Sequence, residues 1–330
     1  MNCSRRGLIV GALTLGAGIR SNPTSAATWE PTRPIEIVVP SAAGGGLDVA
    51  ARVLQRTMHD LKVTDQAINV VNKAGGNGAI GIVYANQHKG DGHYITVQSP
   101  ALLISPLEGV GAVGLKDVTP VATLVDEQII FAVAADSPFK TGRDIAAKLK
   151  SDTSSIAFAM SGSVGGHSHI ALALVTQAAG GDPRALKVVA FNGGGEAVTA
   201  LMGGHVMVTV TPASSILGPL AAGKVRVIGL TSDKRLTGVL ADAPTWKEQG
   251  VDAVFSSWRA LAGPLRMTPP QLAWWDGVLA KVTQAPEWEK FVEQNEWTSD
   301  YRDSATATRF FAEESQRYAS VLKELDLLRS

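Results

Sequence analysis

Apolar and polar positions along the first third of the chain predict strands that are each followed by a helix. The run 35–39 is apolar and β-branched, a glycine-rich segment follows it, and from Leu47 apolar residues recur at three- and four-residue spacing. The same order returns in a strand at 67–71 and a helix at 79–88, before a strand at 94–98. Strands that alternate with helices predict a mostly parallel sheet whose ligands lie beyond the carboxyl ends of the strands.

A second α/β series begins with a long apolar strand predicted at 128–135. The pattern then predicts a short helix that ends at 202, helices at 141–150, 167–179 and 213–222, and strands at 156–159, 187–190, 206–211 and 225–231. An extended stretch at 253–264 follows, and after it only helical patterns remain, at 269–282, 288–295 and 304–325. These helices bring no strands with them, so we expect them to cover an existing sheet.

This order predicts an α/β protein of two lobes, because the chain leaves the first sheet and returns to it. We expect lobe 1 to contain 28–125 and 256–330, and lobe 2 to contain 126–255. The two crossing segments, near 126 and 256, form a hinge, and a ligand cleft lies between the lobes. Each lobe is expected to be a mostly parallel sheet flanked by helices.

Composition and charge exclude several classes of protein. The 330 residues are 45% apolar and 18% charged, which is typical of a globular chain, and the formal net charge of zero provides no basic surface for nucleic acid. Residues 1–27 have the pattern of an export signal, with Arg5 and Arg6 before an apolar stretch and a small-residue cleavage site near Ala27. We therefore expect a soluble protein of the periplasm, and the choice between the general and the twin-arginine export route stays open.

The glycine-rich segment before Leu47 is the first candidate binding site. Unpaired N–H groups and the positive end of the helix dipole meet where a helix begins, and this favours an anion. The segment lacks the lysine of a phosphate-binding loop and the spacing of a dinucleotide-binding loop. Taken alone, it fits a structural turn with Asp48 as a helix cap equally well.

Residues at two other strand ends are further candidates for ligand contact. Ser99 and Ala101 follow the strand predicted at 94–98, and Asn192 and Gly193 follow the strand predicted at 187–190. Ligands of α/β sheets bind at such ends. A plain turn from strand to helix explains the second pair equally well.

The histidines and serines of the segment 161–169 give little support for a metal site or an enzyme. His167 and His169 are two residues apart, so they do not face each other on a helix, and we expect neither a metal nor a cofactor. Ser161 or Ser163 beside His167 could be a nucleophile with its base, but the surrounding glycines do not form a nucleophile elbow. We expect a binding protein, with a soluble hydrolase as the weaker alternative.

Many short segments resemble, in their order along the chain, the signature segments of the periplasmic receptors of tripartite tricarboxylate transporters, the Bug receptors. They are 34–40, 43–46 with Asp48, 72–78, 91–94, 223–226, 243–245 and 256–258. The segment 191–197 is similar to the subgroup nearest the tricarboxylate receptor itself. The resemblance spans essentially the whole chain after residue 27.

The resemblance implies a two-lobed type II periplasmic-binding fold that closes on a small carboxylate. It also implies a large and a small membrane subunit as partners, and we expect the receptor to be a monomer. In the family, backbone groups of two loops hold one carboxylate, and these loops correspond here to Ser41, Ala42, Ala43, Gly44 and Gly45, and to Ser161, Ser163, Val164 and Gly165. Asp48 and His169 would organise the loops. Neutral N–H donors avoid the desolvation of a fixed cation, so we expect no obligatory cation in the site.

Two positions depart from the commoner pattern of the family. Many relatives have an aspartate where Thr211 stands, so an amino acid ligand is not favoured. His167 replaces a small polar residue, and as a protonatable donor it could meet a second carboxylate or stack on a flat ligand. We therefore expect a dicarboxylate or a tricarboxylate, with an aromatic acid such as a phthalate as an alternative. A receptor that serves a sensory partner stays open as a second function.

Overall fold

The computed structural model of the chain describes residues 28–41, 43, 46–191 and 193–329. The expected export signal, with its cleavage site near Ala27, lies outside the described residues, as do the expected ligand residues Ala42, Gly44, Gly45 and Asn192. In the part that is described, no helix combines the length and the apolar character needed to cross a membrane.

The described residues form ten strands and ten α-helices. The strands are β1 (Ile35–Val39), β2 (Ile68–Asn72), β3 (Tyr94–Gln98), β4 (Thr119–Ala134), β5 (Ala157–Ser161), β6 (Lys187–Phe191), β7 (Val208–Pro212), β8 (Val225–Leu230), β9 (Ser256–Gly263) and β10 (Trp297–Arg302). The helices are α1 (Gly46–Asp60), α2 (Ala79–Asn86), α3 (Ala101–Leu107), α4 (Gly142–Ser151), α5 (His167–Ala178), α6 (Gly194–Met202), α7 (Leu217–Ala221), α8 (Pro269–Val282), α9 (Pro286–Gln294) and α10 (Ser304–Glu324).

The 16-residue strand β4 belongs to two groups of strands. As far as Gln128 it pairs with β9 and β10, and β9 continues the sheet to β3, β1 and β2. From Ile129 it pairs with β7 and β8, and β7 continues the sheet to β5 and β6. The predicted parallel pairing is found in β2–β1–β3 and in β6–β5–β7, while β4, β8, β9 and β10 pair antiparallel.

Large aromatic side chains fill the core on both sides of the strands. Trp275 of α8 is fully buried, and its Nε1 donates to the carbonyl oxygen of Gly92 at 3.0 Å. Trp258 of β9 is also fully buried, with its ring centroid 5.0 Å from that of Phe311. Its Nε1 donates to the hydroxyl oxygen of Tyr318 at 3.1 Å. These contacts fasten α8 and α10 to the strands beneath them.

Three elements differ from the sequence prediction. β10 lies where only helices were expected. Trp297 and Tyr301 are its two aromatic residues, and its pairing with β4 is not visible in a local sequence pattern. β4 begins well before residue 128, although Pro120 and Glu127 lower the strand propensity of its first half. The helix α3 was not predicted.

The pairing of β4 and β9 bears on the expected lobes. β4 changes partners after Gln128, and β9 begins at Ser256, so both positions lie close to the expected crossings near 126 and 256. The division into a lobe of 28–125 with 256–330 and a lobe of 126–255 stays a prediction.

Asp126 lies in β4 just before this change of partners. Its Oδ1 is buried and has no hydrogen-bond partner within the described residues. Burial, and then the nearby carboxylates of Asp300 and Glu314, raise the pKa of Asp126 to about 7, although the Ser256 hydroxyl and Arg302 act in the opposite direction. The carboxyl group therefore loses its proton near neutral pH and not near pH 4.

We expect Asp126→Asn to remove a loss of stability at high pH. The folded chain holds the Asp126 proton up to about pH 7, whereas the unfolded chain releases it near the usual pKa of 3.8. Stability therefore falls through this group as pH rises from about 4 to 7, and the variant lacks this loss. In thermal unfolding, the advantage of the variant should be about 3 to 6 °C larger at pH 8 than at pH 5. Parallel pH profiles of the two proteins would contradict this account.

Candidate functional site

The first expected binding loop leads into α1, which begins at the exposed residue Gly46. The buried carboxylate of Asp48 accepts hydrogen bonds from Arg52, at 2.9 and 3.0 Å, and from the side chain of Asn72, at 2.9 Å. Asn72 also donates to the carbonyl oxygen of Ser41 at 3.2 Å. These bonds tie the start of the loop to the first turn of α1, so the positive end of that helix is held in place.

A buried arginine, Arg259 of β9, lies beside the start of α1. It is 8% exposed, and a Cβ atom on Gly46 would come within 3.4 Å of its Nη2 and 3.8 Å of its Nε. Nη1 donates to the carbonyl and hydroxyl oxygens of Ser257, both at 2.9 Å, and the guanidinium carbon lies 5.4 Å from the ring centroid of Trp297. Nη2 pairs with the buried carboxylate of Glu127. Nε is buried without a hydrogen-bond partner among the described residues.

Sequence reasoning missed both members of this ion pair. Arg259 is a single charge within an apolar stretch, whereas Glu127 follows the carboxylate of Asp126, and a buried charge in such a position is normally paired. That pattern was the available signal, but it does not show which charge is the partner. A buried cation thus lies beside the start of α1, where the sequence predicted neutral N–H donors and no obligatory cation.

Glu127 also contacts the second group of strands. Its Oε1 accepts a hydrogen bond from the hydroxyl of Ser214, just after β7. The expected ligand residue Thr211 is buried near the end of β7, and its Oγ1 has no partner in the described part of the chain. A Cβ atom on Gly194 would come within 2.2 Å of Thr211 Oγ1 and 2.1 Å of Ser215 Oγ. The helix α6 therefore begins in contact with Thr211 and Ser215, which lie before and after Ser214 in the sequence.

His167 is the first residue of α5. Its Nε2 is buried and makes no hydrogen bond within the described ranges. Burial, and then the positive charge of Arg259, lower the pKa of His167 to about 4, while Glu127 acts in the opposite direction. His167 is therefore neutral near pH 7. A neutral imidazole still donates one hydrogen bond, but it does not bring the positive charge that a protonated donor would offer a second carboxylate.

Two polar groups of the second expected loop, 161–166, are hydrogen-bonded to side chains of α5. The hydroxyl of Ser161 is hydrogen-bonded to that of Ser168 at 3.2 Å, and the N–H of Gly165 donates to Nδ1 of His169 at 2.9 Å. Burial lowers the pKa of His169 to about 4, so the ring accepts this bond in its neutral form. The N–H of Gly165 is therefore already satisfied, and His169 holds the loop against α5.

The other expected ligand residues lie at element ends. Ser163, Val164, Ala43 and Ala101 are exposed, and Gly193 precedes the first residue of α6 in an extended conformation. The carbonyl oxygen of Ser99 accepts the N–H of Leu102 at 3.0 Å. Neither Ser99 nor Ala101 has a hydrogen bond to the ion pair, and within the described ranges no three His, Cys, Asp or Glu side chains could hold a metal ion.

The structure thus brings five residues into one group, which we call the Arg259 cluster: Gly46, Glu127, His167, Ser214 and Arg259. The charges of Glu127 and Arg259 oppose each other, and His167 is neutral near pH 7. Three helices, α1, α5 and α6, begin at members of the cluster or at their immediate neighbours. Helix starts attract anions, so this group is the candidate site for a small anion.

Comparisons with known proteins agree on one family. The family model described as "Tripartite tricarboxylate transporter family receptor" matches residues 50–327. Protein BugT of Bordetella pertussis is 29% identical over 331 residues, which cover 98% of each chain. A solved TctC solute-binding protein from Polaromonas, without ligand, is 26% identical with a TM-score of 0.75, over 89% of this chain and 99% of that chain. Rpa4515 of R. palustris, solved with adipate, is 20% identical with a TM-score of 0.75, over 90% of this chain and 98% of that chain.

Proposed function

The chain belongs to the family of tripartite tricarboxylate transporter receptors, and from this premise we propose that it captures a small dicarboxylate or tricarboxylate in the periplasm and delivers it to a transporter. Members of the family are binding proteins, so the expectation that the chain is not an enzyme is confirmed, as is the expected fold of a periplasmic binding protein. The proposed partners are a large and a small membrane subunit, and the receptor acts as a monomer.

The observation that carries the proposal is that three helices begin around one buried ion pair. An incoming carboxylate would meet the positive ends of α1 and α5 beside the pair, with α6 beginning near Ser214, and the opposed charges of Glu127 and Arg259 leave little net repulsion. Each charge-assisted hydrogen bond from such a donor contributes about 1.5 to 3 kcal/mol. The ligand in the structure of Rpa4515, adipate, is a diacid and provides a starting probe.

The Arg259 cluster also connects the two proposed lobes. Gly46 and Arg259 belong to the lobe of 28–125 with 256–330, whereas Glu127, His167 and Ser214 belong to the lobe of 126–255. A ligand bound by both sides binds the closed arrangement better than the open one, and this difference is what drives closure. A transporter subunit that recognises the closed arrangement would then accept loaded receptors only.

The proposal is tested by thermal unfolding of the exported protein with adipate, malate, citrate and phthalate. A ligand that binds only the folded state at 100 times its Kd adds about 2.7 kcal/mol of stability, so at least one acid should raise the melting temperature clearly. Sodium chloride and sulfate at matched ionic strength are the controls. If no acid raises the melting temperature above these salts, the proposed function is wrong.

A further inference from the structure

We propose that the Nε–H of Arg259 and the start of α1 form one carboxylate subsite, in which Glu127 competes with the ligand for the guanidinium. This inference rests on the proposed function and deepens it, since it names the residue that binds and the residue that opposes binding. Neither residue belongs to the two loops that the sequence pointed to.

The guanidinium of Arg259 is fixed on three of its sides. Ser257 accepts two hydrogen bonds from Nη1, Trp297 lies near the guanidinium group, and Glu127 pairs with Nη2. The edge that carries Nε and Nη2 is the edge with which arginine binds carboxylates in a bidentate way. A Cβ atom on Gly46 would lie 3.4 Å from Nη2 and 3.8 Å from Nε. This edge of the guanidinium therefore lies at the start of α1.

One N–H on this edge has no partner in the described part of the chain. Nε is buried, and no acceptor for it lies among the described residues. A buried charged donor without an acceptor destabilises the folded state, and folded proteins keep few of them. A ligand carboxylate at the start of α1 would supply the acceptor, and it would also meet the positive end of a helix of 15 residues.

Glu127 limits how strongly this subsite binds. Its carboxylate takes Nη2 and accepts the hydroxyl of Ser214, so a ligand carboxylate shares the guanidinium with an acid of the protein itself. The two negative groups repel each other across the same edge. Removal of the charge of Glu127 should therefore strengthen ligand binding, whereas removal of the guanidinium should weaken it.

Titration calorimetry with adipate and with citrate tests this difference in sign. We expect Glu127→Gln to raise the affinity about threefold or more and Arg259→Gln to lower it about tenfold or more, as loss of a charge-assisted bond would. Arg259→Lys keeps the charge but lacks the Nε donor, and it should also bind more weakly than wild type. The matched control is Arg56→Gln, an exposed arginine further along α1, which should stay within about twofold of wild type.

The double variant Glu127→Gln/Arg259→Gln keeps the test valid if a single variant does not fold. It removes both charges together, so no uncompensated charge is left buried. Its affinity should match that of Arg259→Gln, because Glu127 has nothing to compete for once the guanidinium is absent.

Other outcomes separate a failure of the Arg259 subsite from a failure of the proposed receptor function. Equal losses in Glu127→Gln and Arg259→Gln would show that the pair acts only through the fold, and this inference would be overturned while the receptor function stands. Wild-type affinity in the double variant would overturn it as well. If the wild-type protein binds no acid at all, the proposed function fails, and the subsite fails with it.

Discussion

Glu127→Leu should lower the free energy of unfolding by about 3 to 5 kcal/mol, because it leaves the guanidinium of Arg259 buried without its partner. Both groups are almost fully buried, at 2% and 8% exposure, so water cannot replace the lost carboxylate. Denaturant unfolding monitored by circular dichroism measures the change. Glu287→Leu provides the control, because Glu287 pairs with Arg56 at the surface and its loss should change stability little.

The double variant Glu127→Leu/Arg259→Met separates the fold from the ligand site. Buried ion pairs that are replaced by apolar residues of similar volume often leave stability unchanged or improve it. We expect the double variant to recover most of the stability lost in Glu127→Leu and to bind carboxylates poorly. A double variant as unstable as the single one would show that the strands require the ion pair itself.

Trp258→Ala should cost about 3 to 5 kcal/mol through the cavity that it leaves. The indole is fully buried between β9 and α10, where it packs against Phe311 and donates to Tyr318. Tyr318→Phe keeps the ring and removes only the hydroxyl, with its hydrogen bonds to Trp258 and Glu314, and should cost about 1 to 2 kcal/mol. Both are measured as shifts in the midpoint of denaturant unfolding. Equal losses in the two variants would mean that the hydrogen bond, and not the packing, holds α10 in place.

The first strand, loop and helix could be predicted because their signals lie within one short stretch. An apolar run, glycines and helical spacing follow one another between residues 35 and 60, and the structure places β1 and α1 there. β10 gave no comparable signal. Three polar residues separate Trp297 from Tyr301, so no apolar–polar alternation marks the strand, and it exists because β4 offers it an unpaired edge.

The Arg259 cluster shows the same limit at the level of the site. Loops rich in glycine at helix starts could be read from sequence, because their donors are backbone groups. The pairing of Glu127 with Arg259 depends on β4 lying beside β9, which a single sequence does not reveal. The protonation of His167 and the use of the Gly165 N–H by His169 also follow from burial and neighbours, and not from residue type.

Because β4 is one continuous strand, the chain cannot be cut within it without breaking strand pairs in both groups. A fragment that ends before Ile129 lacks the residues that pair with β7 and β8, and a fragment that begins there takes away the partner of β9 and β10. Each group of strands thus pairs with one half of β4. Cutting the chain at this point would leave both fragments with an open sheet edge, so we expect neither fragment to fold well alone.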